Sequence, residues 1–233
     1  MDSLITLDRQ LLLALNGSDS LFLDSLVKTL TTAATWIPLY VALFYLVVKN
    51  SDNWRRVVLV VAGALVCVLL AGTVDDEIVK PLVARWRPTR DPEIGFLVDT
   101  YNSYRGGRFG FFSAHASNTF SIAVFFALLV RSNLLTVAMV TWSLVNCWTR
   151  LYLGVHFPGD ILVGLLWGGT VGTLVWFLFH KVDARLRSDA PAHYISSQYT
   201  STGFVRSHAN LVVAVLVYTL VYAVIKACFA LYA

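Results

Sequence analysis

The chain has 233 residues, 57% of them hydrophobic and 14% charged, with a formal net charge of +4. So little polar surface cannot coat a water-soluble globule of this size, which makes the bilayer the solvent. The basic residues are scattered among loops, which argues against a nucleic-acid partner, and no repeat, low-complexity tract or linker divides the chain, so 1–233 reads as a single membrane-embedded domain.

In chain order, Leu4, Leu7, Leu11 and Leu15 recur at spacings of three and four. Asp2, Asp8 and Arg9 break the apolar core that a signal peptide needs, so the segment predicts a retained interfacial amphipathic helix ending near Asn16 and Gly17. Six apolar tracts follow, approximately over 25–49, 56–79, 113–131, 133–151, 158–180 and 209–232. Each approaches the roughly 20 residues of a spanning helix, and backbone hydrogen bonding in lipid requires helices there. The expected fold is all-α: a polytopic membrane protein with six transmembrane helices. Cys67, Cys147 and Cys228 fall inside spans without metal-ligand spacing, which predicts neither a disulfide framework nor a metal site.

Ionisable groups collect in three places. Lys80, Arg85, Arg87 and Pro88 end the second span; Phe112, Ser113, Ala114 and His115 open the third; Thr149, Arg150, His156 and Asp160 bridge the fourth and fifth. With six spans, chain parity brings these ends to one membrane face. Lys80, Arg87 and Arg150 supply obligate cations for an oxyanion, and Ser113 stands where a helix N-terminus also favours one. Asp160, four residues after His156, can hold the imidazole in one tautomer and leave its other nitrogen as nucleophile. His115 is placed to protonate a leaving group.

Lys80 with Arg87-Pro88, Ser113-x-His115, and Arg150 with His156 and Asp160 resemble the three signatures of the type 2 phosphatidic acid phosphatase family, relatives of the vanadium haloperoxidases. The match runs over a motif core of 80–160, about a third of the chain. The resemblance implies His156 as nucleophile, Asp160 as its partner and His115 as proton donor. It further implies phosphate held by Lys80, Arg87, Ser113, the amide near Ala114, and Arg150, with no metal and no cofactor. Phe112, Ala114 and Thr149 stand where the family carries proline, glycine and serine. Alanine matters there if the position needs a positive φ.

Taken singly, Lys80 is a snorkelling cation or an i,i+4 partner of Asp76, and Ser113 and Asp160 are helix caps. Their conjunction in the family's order and spacing outweighs those readings. The run Gly106 to Gly110 lacks the ending of a phosphate-binding loop and reads as a flexible entrance segment. Asp75, Asp76 and Glu77 are expected to pair with Lys80 or Arg85; His180, His193 and His208 are expected opposite the site, solvated.

The expected function is hydrolysis of a lipid phosphate or diphosphate through a phosphohistidine, leaning to undecaprenyl diphosphate. Lipid A or phosphatidylglycerol phosphate are alternatives, as are phosphotransfer to a lipid or sugar hydroxyl and an anion-binding transporter. The partners are the lipid substrate and the bilayer, and the sequence leaves the oligomeric state open. Setting aside Lys80, Arg87 and Arg150, more basic residues lie opposite the site (Lys49, Arg55, Arg56, Arg131, Lys181, Arg185, Arg187, Arg206) than beside it (Arg9, Arg85, Arg90, Arg105, Arg108). The positive-inside rule then turns the site outward, to the periplasmic face of a bacterial inner membrane.

Overall fold

The computed structural model describes residues 2–186 and 197–231; Arg187 and His193 lie outside the described residues. Those described are all-helical apart from turns and loops, with two isolated antiparallel bridges, Trp86 with Phe109 and Tyr199 with Val205. Helix α1 (Asp2–Leu15) leaves Leu4, Leu7, Leu11 and Leu15 exposed. On its other side Leu12 is buried against Ile94, Val98 and Phe157.

The tract expected to run unbroken over 25–49 is two helices. α2 (Leu21–Thr31) stops at Thr32, a 3-10 turn spans Ala33–Trp36, and α3 (Ile37–Lys49) leaves at 68° to α2. The Thr35 hydroxyl donates to Thr29 O at 2.6 Å and the Trp36 indole to Leu30 O at 2.9 Å. These bonds satisfy carbonyls that the end of α2 leaves open, while Pro38 brings no N–H to the first turn of α3.

Helix α4 (Trp54–Thr73) continues through a π-helical turn, Val74–Val79, into α5 (Lys80–Val83). After a long loop come α6 (Ala114–Val130), α7 (Asn133–Tyr152), α8 (Pro158–Leu186) and α9 (Arg206–Phe229). Asn53, Ser113 and Ser132 cap α4, α6 and α7 by accepting from the N–H of Arg56, Ala116 and Leu135. Each such cap contributes about 1 kcal/mol. Trp54–Val83, Pro158–Arg185 and Arg206–Phe229 are long and apolar enough to cross a membrane, and the bent α2–α3 pair makes a fourth if it is one broken span. Exposed apolar side chains such as Leu65 and Leu69 on α4, Leu166 and Leu178 on α8, and Val217 and Ile225 on α9 face lipid, as in an integral membrane protein.

Helix α6 is the axis, packed on α4, α7 and α8. Its approach to α8 is set by glycines at every fourth position. A Cβ at Gly164 would stand 2.8 Å from the Ser113 carbonyl oxygen, and Cβ atoms at Gly168 and Gly172 would crowd the carbonyls of Ser117 and Ser121 as closely or more so. Main chain therefore meets main chain, the device by which small residues bring membrane helices together. At the top of this seam Ser113 N donates to Asp160 O at 3.1 Å. At the opposite end His180 is exposed, as expected, and stacks on Trp176, while His208 is half-buried and lies 3.2 Å from Asn50 Nδ2. Cys67, Cys147 and Cys228 are free thiols.

Candidate active site

The turn that closes α7 delivers His156 into the bundle, only 2% exposed. Its Nδ1 lies 3.6 Å from Asp160 Oδ2, and its Nε2 lies 3.2 Å from Arg87 Nη1. Asp160, in the first turn of α8 and wholly buried, also accepts from Phe157 N at 2.9 Å on Oδ2 and from Arg85 Nη1 at 2.7 Å on Oδ1. Burial pushes the imidazole down to about 4; Asp160 pulls it up and the charge of Arg87 pushes it down further. The ring is therefore neutral, and a proton on Nδ1 facing the carboxylate leaves the Nε2 lone pair to accept from Arg87.

Arg87 is held in this pose by Phe109 O and Val155 O, both at 3.1 Å. Arg150, at the end of α7 and 4% exposed, donates from Nε to Thr149 Oγ1 at 3.2 Å, but its Nη2 is buried without a hydrogen-bond partner among the described residues. A guanidinium cannot shed its charge, so an unpaired buried N–H on one is open to an anion. Lys80 pairs with the buried Asp75 at 2.7 Å and with Asp76. The Lys80 part of the expected pairing is thus present; Arg85 goes elsewhere.

Ser113 is buried and caps α6 through its oxygen, accepting from Ala116 N at 3.4 Å, which leaves the hydroxyl proton free. The first-turn amides of α6, including that of Ala114, point out of the same end. His115 is within the electrostatic reach of Arg150, His156, Arg87 and Lys80. It lines a cavity of about 210 Å³ with Trp36, Tyr40, Asn118 and Trp142. Tyr40, Val68 and Ile122 are shared with a second, apolar cavity of about 390 Å³ between α3 and α4, floored by Ile122 and Phe126 of α6.

Other residues at this end carry weight that their sequence positions do not show. Arg85 forks between Asp160 and Asp8, its Nη2 2.6 Å from Asp8 Oδ2, and lies 4.2 Å above the Phe157 ring. In the sequence Asp8 stands out only as one of three charges that interrupt the apolar N-terminal segment. The run expected to be a flexible entrance is instead a wall. Gly110 N donates to Arg85 O at 2.9 Å, Trp86 bridges Phe109, and Cβ atoms at Gly106 and Gly110 would each stand 3.1 Å from the Arg87 side chain. Gly106, at φ +63°, takes the turn that a larger residue resists.

A family model described as the PAP2 superfamily matches residues 54–184. The chain belongs to the PAP2 superfamily. It is 39% identical over 193 residues to the lipid A 4'-phosphatase of Bacteroides thetaiotaomicron, covering 82% of this chain and 85% of that protein. The lipid A 4'-phosphatase of Porphyromonas gingivalis is 32% identical over 197 residues, covering 83% and 82%. A decaprenylphosphoryl-5-phosphoribose phosphatase of Mycobacterium tuberculosis is 36% identical over 114 residues, covering 49% of this chain and 56% of that protein. No solved structure matches.

The places where this PAP2 member departs from the family's signatures are accommodated locally. Ala114 is the first residue of α6 and is not among the residues with positive φ, so the methyl group brings no backbone strain. Thr149 keeps a hydroxyl, and that hydroxyl accepts from Arg150. Phe112 is buried, with its ring 6.3 Å from that of Trp167.

Proposed function

We propose that this PAP2 protein is a lipid phosphatase that works through a phosphohistidine on His156. One observation carries the reading: a neutral imidazole whose Nδ1 faces a buried carboxylate while its Nε2 lies 3.2 Å from Arg87, with the buried, unpaired Arg150 nitrogen in electrostatic reach of that same Arg87. An arriving phosphate takes the place of His156 as a partner of Arg87. Its oxygens are held by Lys80, Arg87, Arg150, the Ser113 hydroxyl and the Ala114 amide. Nε2 attacks phosphorus in line, the phosphorus–oxygen bond to the lipid breaks, and the departing oxygen takes a proton from His115, whose protonation the phosphate charge favours. Water then attacks the phosphorus–nitrogen bond, giving its proton to His115 and returning the electron pair to Nε2. Neither a metal nor a cofactor enters the proposal.

The cavity at His115 and the apolar cavity that adjoins it support a lipid, with an acyl chain lying between α3 and α4 and the headgroup at the site. Two relatives named lipid A 4'-phosphatase, matched over four-fifths of their length, move the favoured substrate from undecaprenyl diphosphate to lipid A phosphate. In the membrane the chain is read as one domain with six spans: the bent α2–α3 pair, α4 with α5, and α6 to α9. Helix α1 lies in the interface on its exposed leucines, and the site faces the periplasm from a bacterial inner membrane.

The test is phosphate release from a panel of lipid phosphates in detergent, including lipid A, undecaprenyl diphosphate and phosphatidylglycerol phosphate. Turnover is expected to survive chelator and to be blocked by vanadate, and His156→Ala to lose at least about 1,000-fold. Dependence on added divalent metal, indifference to vanadate, or activity surviving in His156→Ala overturns the mechanism. Preference for undecaprenyl diphosphate over lipid A overturns the substrate.

A further inference from the structure

Asp160 is wholly buried, and its two oxygens divide their partners. Oδ2 serves the Phe157 amide and faces His156, whereas Oδ1 takes the Arg85 guanidinium at 2.7 Å. The other terminal nitrogen of Arg85 is 2.6 Å from Asp8 Oδ2, and Asp8 Oδ1 accepts from Gly159 N at 2.8 Å, one residue before Asp160. A carboxylate–guanidinium–carboxylate chain thus runs from α1 to the imidazole, with the Phe157 ring beneath the guanidinium. Arg9, the neighbour of Asp8, pairs with Asp91 at 3.1 Å and with Glu93, and Asn16 Nδ2 donates to Tyr152 O at 2.8 Å, so α1 is fastened on both sides of that chain.

We infer that Arg85 is a positioning residue, anchored by Asp8, and that α1 completes the active site by fixing Asp160 against His156. The inference rests on the reading of His156 as nucleophile and Asp160 as its partner. A buried carboxylate needs a countercharge that does not compete for the imidazole. Arg85 supplies it from the far oxygen, and its planar fork lets it bridge two carboxylates at once, which a lysine point charge does less well. Arg85 also offsets part of the negative charge that Asp160 presents to His156, which adds to burial in favouring the neutral ring.

Besides Asp160, the charged and titratable groups acting on His156 include Arg87 from the loop, Lys80 from α5 and His115 from α6; around these lie Asp75 and Asp76 beside Lys80, and Arg150 of α7 and Tyr104 near Arg87. All of them are unchanged in variants of Arg85 and Asp8, so a change in pH dependence reports the chain itself. Opposite signs separate the two members of the pair: losing Asp160 removes what raises the imidazole, whereas losing Arg85 unshields it.

The experiment is phosphate release against pH by the full-length protein in detergent, for Arg85→Met, Arg85→Lys, Asp8→Asn and the double variant Asp8→Asn/Arg85→Met. Arg85→Met is expected to lower kcat by about 10- to 100-fold with KM within about threefold, and to move the acid limb of kcat/KM to higher pH. Arg85→Lys recovers part of kcat and part of the shift. Asp8→Asn costs about 3- to 10-fold alone and adds little in the double variant, as coupled residues do. Should Arg85→Met fail to fold, Arg85→Lys carries the pH readout, as a smaller shift of the same sign, and Asp8→Asn carries the loss of kcat. An unmoved acid limb, a loss confined to thermal stability, or costs of Asp8 and Arg85 that multiply independently overturns the inference. Hydrolysis by His156→Ala overturns the underlying reading instead, so the two failures are distinct.

Discussion

Because His156 is buried and neutral, its titration is displaced from that of free imidazole. The limb of kcat/KM owed to it is expected near pH 4, below the ordinary 6.5, since protonation removes the Nε2 lone pair. Asp160 raises the ring, so Asp160→Asn is expected to push that limb lower still while kcat falls by about 10²- to 10⁴-fold as the tautomer is lost. The titration of the phosphate substrate itself, near 6, is common to both proteins and serves as an internal reference. A limb that rises in Asp160→Asn would show that another group titrates. At this scale much of the candidate site was legible: Ser113 with His115, and His156 with Asp160, are near neighbours in the chain, and the structure gathers them at one end of the bundle. Arg85 and Asp8 were not legible, because their bonds cross 75 and 77 residues and no local pattern records such a partner.

Among the helices, the approach of α6 to α8 governs where Ser113 and Asp160 meet. Alanine is the better helix former by about 1 kcal/mol, so Gly168→Ala would stabilise an isolated α8. Here its Cβ would press on the Ser117 carbonyl, which is backbone and cannot rotate away. A stability loss of about 1–3 kcal/mol is expected, read as a lower Tm in detergent together with lost turnover. Gly169→Ala, whose Cβ would meet only the Phe120 ring at 3.3 Å, is expected to keep both, and equal behaviour of the two variants would refute the seam. Apolar runs predicted the helices well but said nothing of their joints. The break at Thr32 depends on hydroxyl and indole bonds back to α2, and an unbroken apolar tract hides it. The glycines of α8 look like mere composition until the serines of α6 are known to lie opposite.

For the molecule as a whole, orientation is the testable quantity. Lys28 lies 6.0 Å from the Tyr101 ring, in the last turn of α2 at the site end, which narrows the basic excess opposite the site. The proposed outward site places Ser201, exposed in the turn before α9, in the cytoplasm. A Ser201→Cys protein with Cys228→Ser is expected to resist a membrane-impermeant thiol reagent in spheroplasts and to react after permeabilisation. Labelling in intact spheroplasts would reverse the topology while leaving the chemistry untouched. The polar clusters do meet, as parity over six apolar tracts led one to expect, although only three or four of the helices are by themselves long and apolar enough to cross a membrane.

Where main chain rests on main chain there are no rotamers to rearrange, so the contact between α6 and α8 has little slack, and Ser113 and Asp160 sit at its end. On the proposed function, the lipid chain would enter between α3 and α4, which meet across a crevice lined by side chains. The proposed acyl crevice and the proposed reaction centre are thus built from different contacts, so under that proposal substitutions in the crevice are expected to alter the choice of lipid while leaving the contact of Ser113 with Asp160 intact.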